Sequence, residues 1–472
     1  MAMEIKNIKD FSTNLKVNND KGNSGTIYTY KDIIDLIREE LAQLRKMEIE
    51  KSISITNSLG DKDKVVIKDK EYLRNQKIIA ERDIRTIIQR KQYKVREYLN
   101  DTDALVKKLV DEFVGFSVLT PAFEDPEVSD IFCQGYNNIF VEKKGVNMLY
   151  PYSFDDEKHY NNFIERLAKE SGKELNKGDS KILDFDLYED RYCATDDGVS
   201  PNGKSLTIRK HGADHITLEQ IIQFGCMNQE VADFLGMIIA GESNVIYAGL
   251  TGSGKTTSLR ALLDYYVSKL NKRMLVAEDT RELFPQNKHT LELVTVANDD
   301  KKVAVDLRDL IMAALRLKPK YIVVGEIRGV GADAAIESMS TGHSTLFTMH
   351  AGKAEDAIDR LVDKFLTAVP NISSEVAERK VVNAVDFIAI QDDIRGIGRR
   401  VTSISEISYD SKTRSTVIKP IMKFNFLTRK FDFVNKISEA KAETMMRRGI
   451  PIEQLYDYTE WESESYRNYR KK

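Results

Sequence analysis

The decapeptide GLTGSGKTTS, Gly249 to Ser258, constrains this chain more than any other stretch, because it satisfies G-x-x-x-x-G-K-[ST] between two segments of definite type. Before it, "NVIYAG" is an unbroken apolar run closed by glycine, which reads as a buried strand over Asn244–Ala248. After it, "TTSLRALLDYYVSKL" has helical periodicity. A strand, a glycine-rich turn and a helix in that order make a phosphate cradle, in which backbone N–H groups close around anionic oxygens at a helix N-terminus. Gly249, Thr251, Gly252, Ser253, Gly254, Lys255, Thr256 and Thr257 are the expected nucleotide contacts. Lys255 is positioned to neutralise β/γ-phosphate charge, and the Thr256 hydroxyl to hold Mg2+.

A cradle alone cleaves nothing, so carboxylates are expected at the carboxyl ends of neighbouring strands. "RMLVAED" and "YIVVGE" are further apolar runs followed by polar residues, and they end in Glu278 and Glu326. Buried runs alternating with helical stretches imply a mostly parallel sheet. Glu326 is assigned to Mg2+ beside Thr256, and Glu278 to orienting or deprotonating the attacking water. Asp279 followed by Glu282 also predicts a capping box for a helix starting just after Glu278.

His343 and His350 fall together in "STGHSTLFTMHAGK" among Gly, Ser and Thr. No third ligand stands near them in sequence, so a metal pair is not supported. They read either as sensors of the γ-phosphate or as turn histidines. Cys133, Cys193 and Cys226 are widely spaced and form no CxxC pair, which argues against a disulfide framework or a zinc site.

The chain's 472 residues fit two or three domains. Met1 to Gly25 is polar and aperiodic and reads as a mobile arm. Ile33, Ile34, Ile37, Leu41 and Leu44 then mark an amphipathic helix, Lys51 to Asp69 reads as turn, and Glu71 to Leu99 as a helix bearing Arg82, Arg85, Arg90, Lys91, Lys94 and Arg96. Those cations form either a solvated face or a docking surface for an acidic partner or anionic lipid. The helical extension is assigned to residues 1–100. Asp101 opens a helix followed by short strands in "SDIFCQG" and "NIFVEKKG" and in the runs flanking Pro201–Gly203, which defines an α/β module over 101–215. Residues 216–240 read as a linker, 241–433 as the nucleotide domain and 434–472 as a peripheral helical tail.

A net charge of −3 with 31% charged residues gives no overall drive toward nucleic acid or anionic membrane, so any such contact must be a local patch. The opening "MAMEIKNIKDF" lacks the apolar core of a signal peptide, and Asp233 and Glu242 interrupt the most apolar window. A cytosolic protein with no membrane span is expected.

Four stretches in this order, "GLTGSGKTT", "AEDTREL", "GEIRG" and "STGHSTLFTMHA", resemble the secretion-superfamily ATPases of type II secretion, type IV and Tad pili, and conjugative type IV secretion. The likeness extends over roughly Asp101 to Phe433, and within it the CpaF-type Tad-pilus and conjugation branch is the most similar. Type II secretion members usually carry a four-cysteine zinc module that is absent from this sequence. The resemblance implies a RecA-like P-loop NTPase motor domain preceded by a smaller PAS-like α/β module. It places Glu278 in the Asp box, Glu326 in Walker B, and His343 and His350 in the His box. It further implies ATP and Mg2+ as cofactors, a homohexamer, and arginines of the N-terminal module reaching phosphate, for which Arg191 and Arg209 are the matching residues. The expected partner is an inner-membrane platform protein, met at the cytoplasmic face of the cell membrane, with no specific nucleic acid. Lys318 departs from the pattern, standing in "LRLKPK" where many members have arginine, and Met1 to Leu99 has no counterpart. The rival functions are a nucleic-acid translocase with a RecA-like motor and a nucleotide-gated scaffold.

Overall fold

The computed structural model describes residues 26–56, 68–143, 145–175, 181–210, 216–296, 304–329 and 331–469. They divide into two units, Met1–Ala213 and Asp214–Lys472. The arm expected over Met1–Gly25 lies outside the described residues.

In the first unit, α1 (Tyr30–Thr56) runs on through part of the stretch read as turn. The next helix, α2 (Lys70–Lys91), is capped by the Asp69 carboxylate, which accepts from Tyr72 N at 2.7 Å, and it stops at Gln92 in the left-handed region, short of Leu99. Asp101 caps α3 (Thr102–Phe113) by accepting from Ala104 N. Six strands follow: β1 (Val128–Gln134), β2 (Ile139–Lys143), β3 (Val146–Leu149), β4 (Ile182–Leu187), β5 (Asp190–Thr195) and β6 (Ser205–Arg209). They form one antiparallel sheet in the order β3-β2-β1-β6-β5-β4. A helix that the sequence reading passed over, α4 (Glu157–Glu170), buries Tyr160, Phe163, Ile164 and Leu167.

Ile33 and Ile37 of α1 and Ile84 and Ile87 of α2 lie in the same buried cluster as Leu109 of α3 and Ile131, Tyr192 and Ile208 of the sheet. The helical extension and the α/β module therefore share one core. The cations of α2 are largely spent on this unit's own acids: Arg82 on Asp83, Arg85 on Glu81 and Asp103, and Arg90 and Lys91 on Glu40. A detachable, cationic docking element is not what these residues build.

The second unit begins with α5 (Leu218–Gln223), closed by a Thr217/Gln220 capping box, and α6 (Gln229–Ala240). Val231, Phe234 and Leu235 of α6 are fully buried, so residues 216–240 are core helices and not a linker. Its large sheet has nine strands, β7 (Val245–Ala248), β8 (Met274–Glu278), β9 (Thr290–Val294), β10 (Tyr321–Glu326), β11 (Ser344–Met349), β12 (Phe387–Ile394), β13 (Gly398–Asp410), β14 (Ser415–Asn425) and β15 (Lys430–Phe433). Their order is β9-β8-β10-β11-β7-β12-β13-β14-β15. The first six pair in parallel and the last three add antiparallel.

The period-2 geometry of β7 divides its apolar run between two cores. Val245 and Tyr247 join a cluster with α6 and with α7 (Lys255–Leu262), whereas Ile246 and Ala248 join one with α8 (Leu307–Ala314), α9 (Ala332–Ser340), α10 (Ala354–Ala368) and α11 (Ser374–Ala384). This two-faced burial is why the strand is apolar throughout. The C-terminal stretch read as a peripheral tail is also packed down: Ile437, Ala442 and Met445 near α12 (Glu439–Arg447), and Leu455 beyond it, are fully buried in the first of these clusters. Among the described residues no helix is long and apolar enough to cross a membrane.

Candidate functional site

The sheet order places β7 between β11 and β12, with β10 and β8 beyond β11, so the carboxyl ends of these five parallel strands lie along one edge. The glycine-rich loop leaves β7 at that edge and enters α7 at Lys255. Gly254, at φ +86°, is the N-cap residue, and Gly252 has φ +78°, both in the left-handed region that favours glycine. Gly249 is required by space: a Cβ there would stand 2.0 Å from Gln391 O and 2.6 Å from Ser253 Oγ.

Lys255 is buried, its Nζ donating to Leu250 O at 3.0 Å and standing 3.4 Å from His350 Nδ1. Burial lowers its pKa. Glu326, at the end of β10, accepts from Arg328 Nη2 at 2.8 Å and Nε at 3.0 Å through Oε2. Its Oε1 lies 2.9 Å from His350 Nε2, but the ring is not aligned to donate, and that oxygen is buried with no hydrogen-bond partner. Ser253 Oγ, fully buried in the loop, also lacks one. Orphaned buried oxygens are costly unless a ligand satisfies them. An orphan hydroxyl and a buried ammonium in the loop, with an orphan carboxylate oxygen facing the same edge, fit a polyphosphate with a divalent cation.

Glu278 ends β8 beside this group. It is 2% exposed, and burial raises its carboxyl from 4.5 to about 8. Its Oε1 accepts from the backbone N–H of Glu282 at 3.2 Å and of Leu283 at 3.1 Å. Gly325, just before Glu326, leaves it room, since a Cβ there would come within 2.9 Å of Glu278 Cγ. The helix expected after Asp279 does not form; residues 279–287 are loop. Pro285 restricts Phe284, which takes φ +40°, and lacks a backbone donor, so a helix begun at Asp279 cannot propagate. The Glu282 N–H, which a capping box would have bonded to Asp279, goes to Glu278 instead.

The two histidines part company. His350 follows β11 at the loop edge, and Arg360 of α10 donates to its carbonyl at 2.9 Å. His343 precedes β11, at the opposite edge of the sheet, roughly 20 Å away at the rise of an extended strand. It bonds Thr341 Oγ1 at 3.1 Å, and burial lowers its pKa. A catalytic role for His343 beside this loop is therefore not supported: a six-residue strand cannot present both of its ends to one site.

Arg191 and Arg209 are cross-strand partners on β5 and β6 of the first unit, and Arg209 Nε donates to Asp130 Oδ1 at 3.1 Å. Thr256 and Thr257 are half-buried on the first turn of α7, and Thr251 is exposed at the loop tip.

The sequence reading missed the brace beneath the loop. Gln391 of β12 is buried; its Nε2 donates to Ser253 O and its Oε1 accepts from Tyr247 OH at 2.7 Å. Arg399 of β13 donates to Gly252 O at 3.0 Å. The available signal was an uncharged amide closing the apolar run "FIAIQ" just ahead of Asp392 and Asp393. Beside the brace is a cavity of about 260 Å³ lined by Ile221, Phe224, Cys226, Thr257, Ser258 and Arg399. All three cysteines are free thiols.

A parallel sheet carrying this loop, with a buried lysine and strand-end carboxylates, defines a P-loop nucleotide-binding domain of mixed α/β fold. More particularly, residues 199–402 match the family described as type II/IV secretion system protein. It is 32% identical over 323 residues to an uncharacterized protein of Methanocaldococcus jannaschii, a match covering 66% of this chain and 56% of that protein. It is 30% identical over 208 residues to the conjugal transfer protein TrbB of Rhizobium radiobacter, covering 44% and 61%. The crystal structure of the pilus retraction motor PilT with bound ADP is similar at 17% identity and a TM-score of 0.45, covering 75% of this chain and 92% of that one. The chain spans 56% and 37% of the lengths of two of the curated relatives it matches.

Proposed function

We propose that the chain is a Mg2+-dependent ATP hydrolase, the motor of a secretion, pilus-assembly or conjugation machine. The observation that carries this reading is the meeting of Lys255, Glu326, His350 and Glu278 around one glycine loop. In this reading the loop N–H groups and Lys255 hold the β/γ-phosphates, Thr256 and Glu326 hold Mg2+, and the cavity beside Arg399 accepts the base. The metal supplies charge neutralisation at the phosphates. Glu278, once ionised, takes a proton from the attacking water, and a carboxyl raised to about 8 is suited to that exchange near neutral pH. His350, between Lys255 and Glu326, is placed to respond when either moves.

The family likeness supports the finer elements of the proposal: a RecA-like motor domain following a PAS-like module, a homohexameric ring, and Arg191 and Arg209 reaching phosphate across a subunit boundary. It also supports a position at the cytoplasmic face of the membrane beside a platform protein. Phosphate release by the purified full chain, with and without Mg2+, tests the activity. Lys255→Ala should lose nucleotide binding, whereas Glu278→Gln should bind nucleotide and not turn over. Equal loss of binding in both would refute the separate roles. Native mass with and without ATP tests the ring.

A further inference from the structure

The hairpin joining β14 and β15 carries the most exposed large apolar side chain among the described residues. Leu427 is 96% exposed and its neighbour Phe426 58%. The turn that presents them is held by hydrogen bonds of its own. Asn425 Oδ1 accepts from both Leu427 N and Thr428 N at 3.1 Å, Arg429 N donates to Asn425 O at 2.7 Å, and Arg429 takes φ +56° to close the turn. Phe424 is buried below, edge-on to Phe426 at 5.5 Å and against Phe431 at 5.1 Å, so the tip stands on an aromatic base. Leaving an aliphatic side chain fully in water at the end of an ordered hairpin gains nothing for the fold itself.

The charge around the tip is mostly positive, with Asp432 the one carboxylate on its two strands. Lys423, Arg429 and Lys430 are exposed and, among the described residues, none has a carboxylate within ion-pair distance. Asp432 stands opposite Lys423 in the ladder, but its Oδ2 accepts from Asn425 Nδ2 at 3.1 Å. The contrast is α2, whose cations are mostly neutralised by the unit's own acids. In a chain of net charge −3, this hairpin is a local cationic patch with an apolar point.

We infer that the β14–β15 tip is a membrane-contact element, with Phe426 and Leu427 entering the interface of an anionic bilayer and Lys423, Arg429 and Lys430 meeting its headgroups. A lipid surface fits better than a protein partner because the apolar surface is a convex two-residue point. A stable protein interface needs about 800 Å² on each side, with a packed apolar centre, whereas one or two side chains flanked by cations suffice for reversible interfacial binding. The inference adds a named surface to the membrane-side placement proposed above, but vesicle binding is measured without nucleotide and so stands or falls separately from hydrolysis.

The test uses the full chain with vesicles of phosphatidylcholine alone and of phosphatidylcholine with phosphatidylglycerol in equal parts. Sedimentation should show binding to the anionic vesicles only, weakening as salt is raised. Leu427→Asp should weaken it on the order of tenfold or more, from the lost apolar burial. Lys423, Arg429 and Lys430 changed together to Gln should remove the preference for anionic lipid. Leu427→Trp reports insertion: its emission, after subtraction of the wild-type signal from Trp461, should shift to the blue on anionic vesicles. None of these side chains is in the nucleotide site, so basal hydrolysis should be unchanged in all three variants. No binding by the wild type, equal binding by Leu427→Asp, or no spectral shift in Leu427→Trp would overturn the proposal; capture by an acidic protein with no vesicle binding would overturn it in favour of a protein partner.

Discussion

Replacing Glu278 with glutamine should stabilise the nucleotide-free protein increasingly as pH rises, while stopping turnover. The carboxyl is 2% exposed, and burial lifts it from 4.5 to about 8. Below pH 4.5 it is protonated whether the chain is folded or not, and folding carries no penalty from it. Between 4.5 and about 8 the unfolded chain ionises the group while the folded chain keeps its proton, so stability falls with rising pH across that window and levels off above it. At about 1.4 kcal/mol per pH interval of one, rounded off near the upper limit, the loss between pH 5 and pH 8 is about 3 kcal/mol. Glutamine keeps an acceptor for the N–H groups of Glu282 and Leu283 but buries an amide donor, at a cost of about 1–3 kcal/mol that does not depend on pH. The decisive quantity is therefore the change in the difference between variant and wild type, not its value at one pH. Thermal unfolding of both proteins at pH 5 and pH 8 should show the gap moving in the variant's favour by about 6–12 °C, at about 2–4 °C per kcal/mol for a unit of this size. Parallel stability curves for the two proteins would mean that the carboxyl is not held protonated in the fold, and the reasoning from burial would fail.

If Glu278 is the base, turnover at saturating ATP should rise with pH, half-maximal near pH 8 and levelling off above it, because only the ionised carboxyl accepts a proton; a profile flat from pH 6 to pH 9 would count against it. Gln391→Leu keeps the volume but loses the bonds to Ser253 O and Tyr247 OH, so nucleotide affinity measured by fluorescent-ATP titration should fall about tenfold; unchanged affinity would show that the loop does not depend on this brace. Arg209→Ala should cut turnover in an assembled ring on the order of 10³-fold if its guanidinium reaches phosphate in the neighbouring subunit, and should leave the first unit folded, since the side chain is more than half exposed.

The sequence by itself determined the loop, because G-x-x-x-x-G-K-[ST] needs only local geometry: two glycines at positive φ, a third without room for Cβ, and a helix starting at the lysine. It also determined that β7, β8 and β10 are buried strands ending in Ala248, Glu278 and Glu326, since a strand covered on both faces is apolar at every position. It could not determine which strand lies beside which. The order β8-β10-β11-β7-β12 is made by contacts between segments far apart in sequence, and by setting β11 beside β7 it brings His350 to the loop, while the strand between them leaves His343 at the far edge. The same holds for Gln391, whose role depends on β12 pairing with β7, and for Glu278, whose raised pKa comes from burial that no local pattern encodes. Residues 216–240 read as a linker and the stretch after Phe433 as a tail because nothing in their own sequence says which surface they meet. Only packing against the sheet makes them core, since burial depends on what a segment meets and not on its own periodicity.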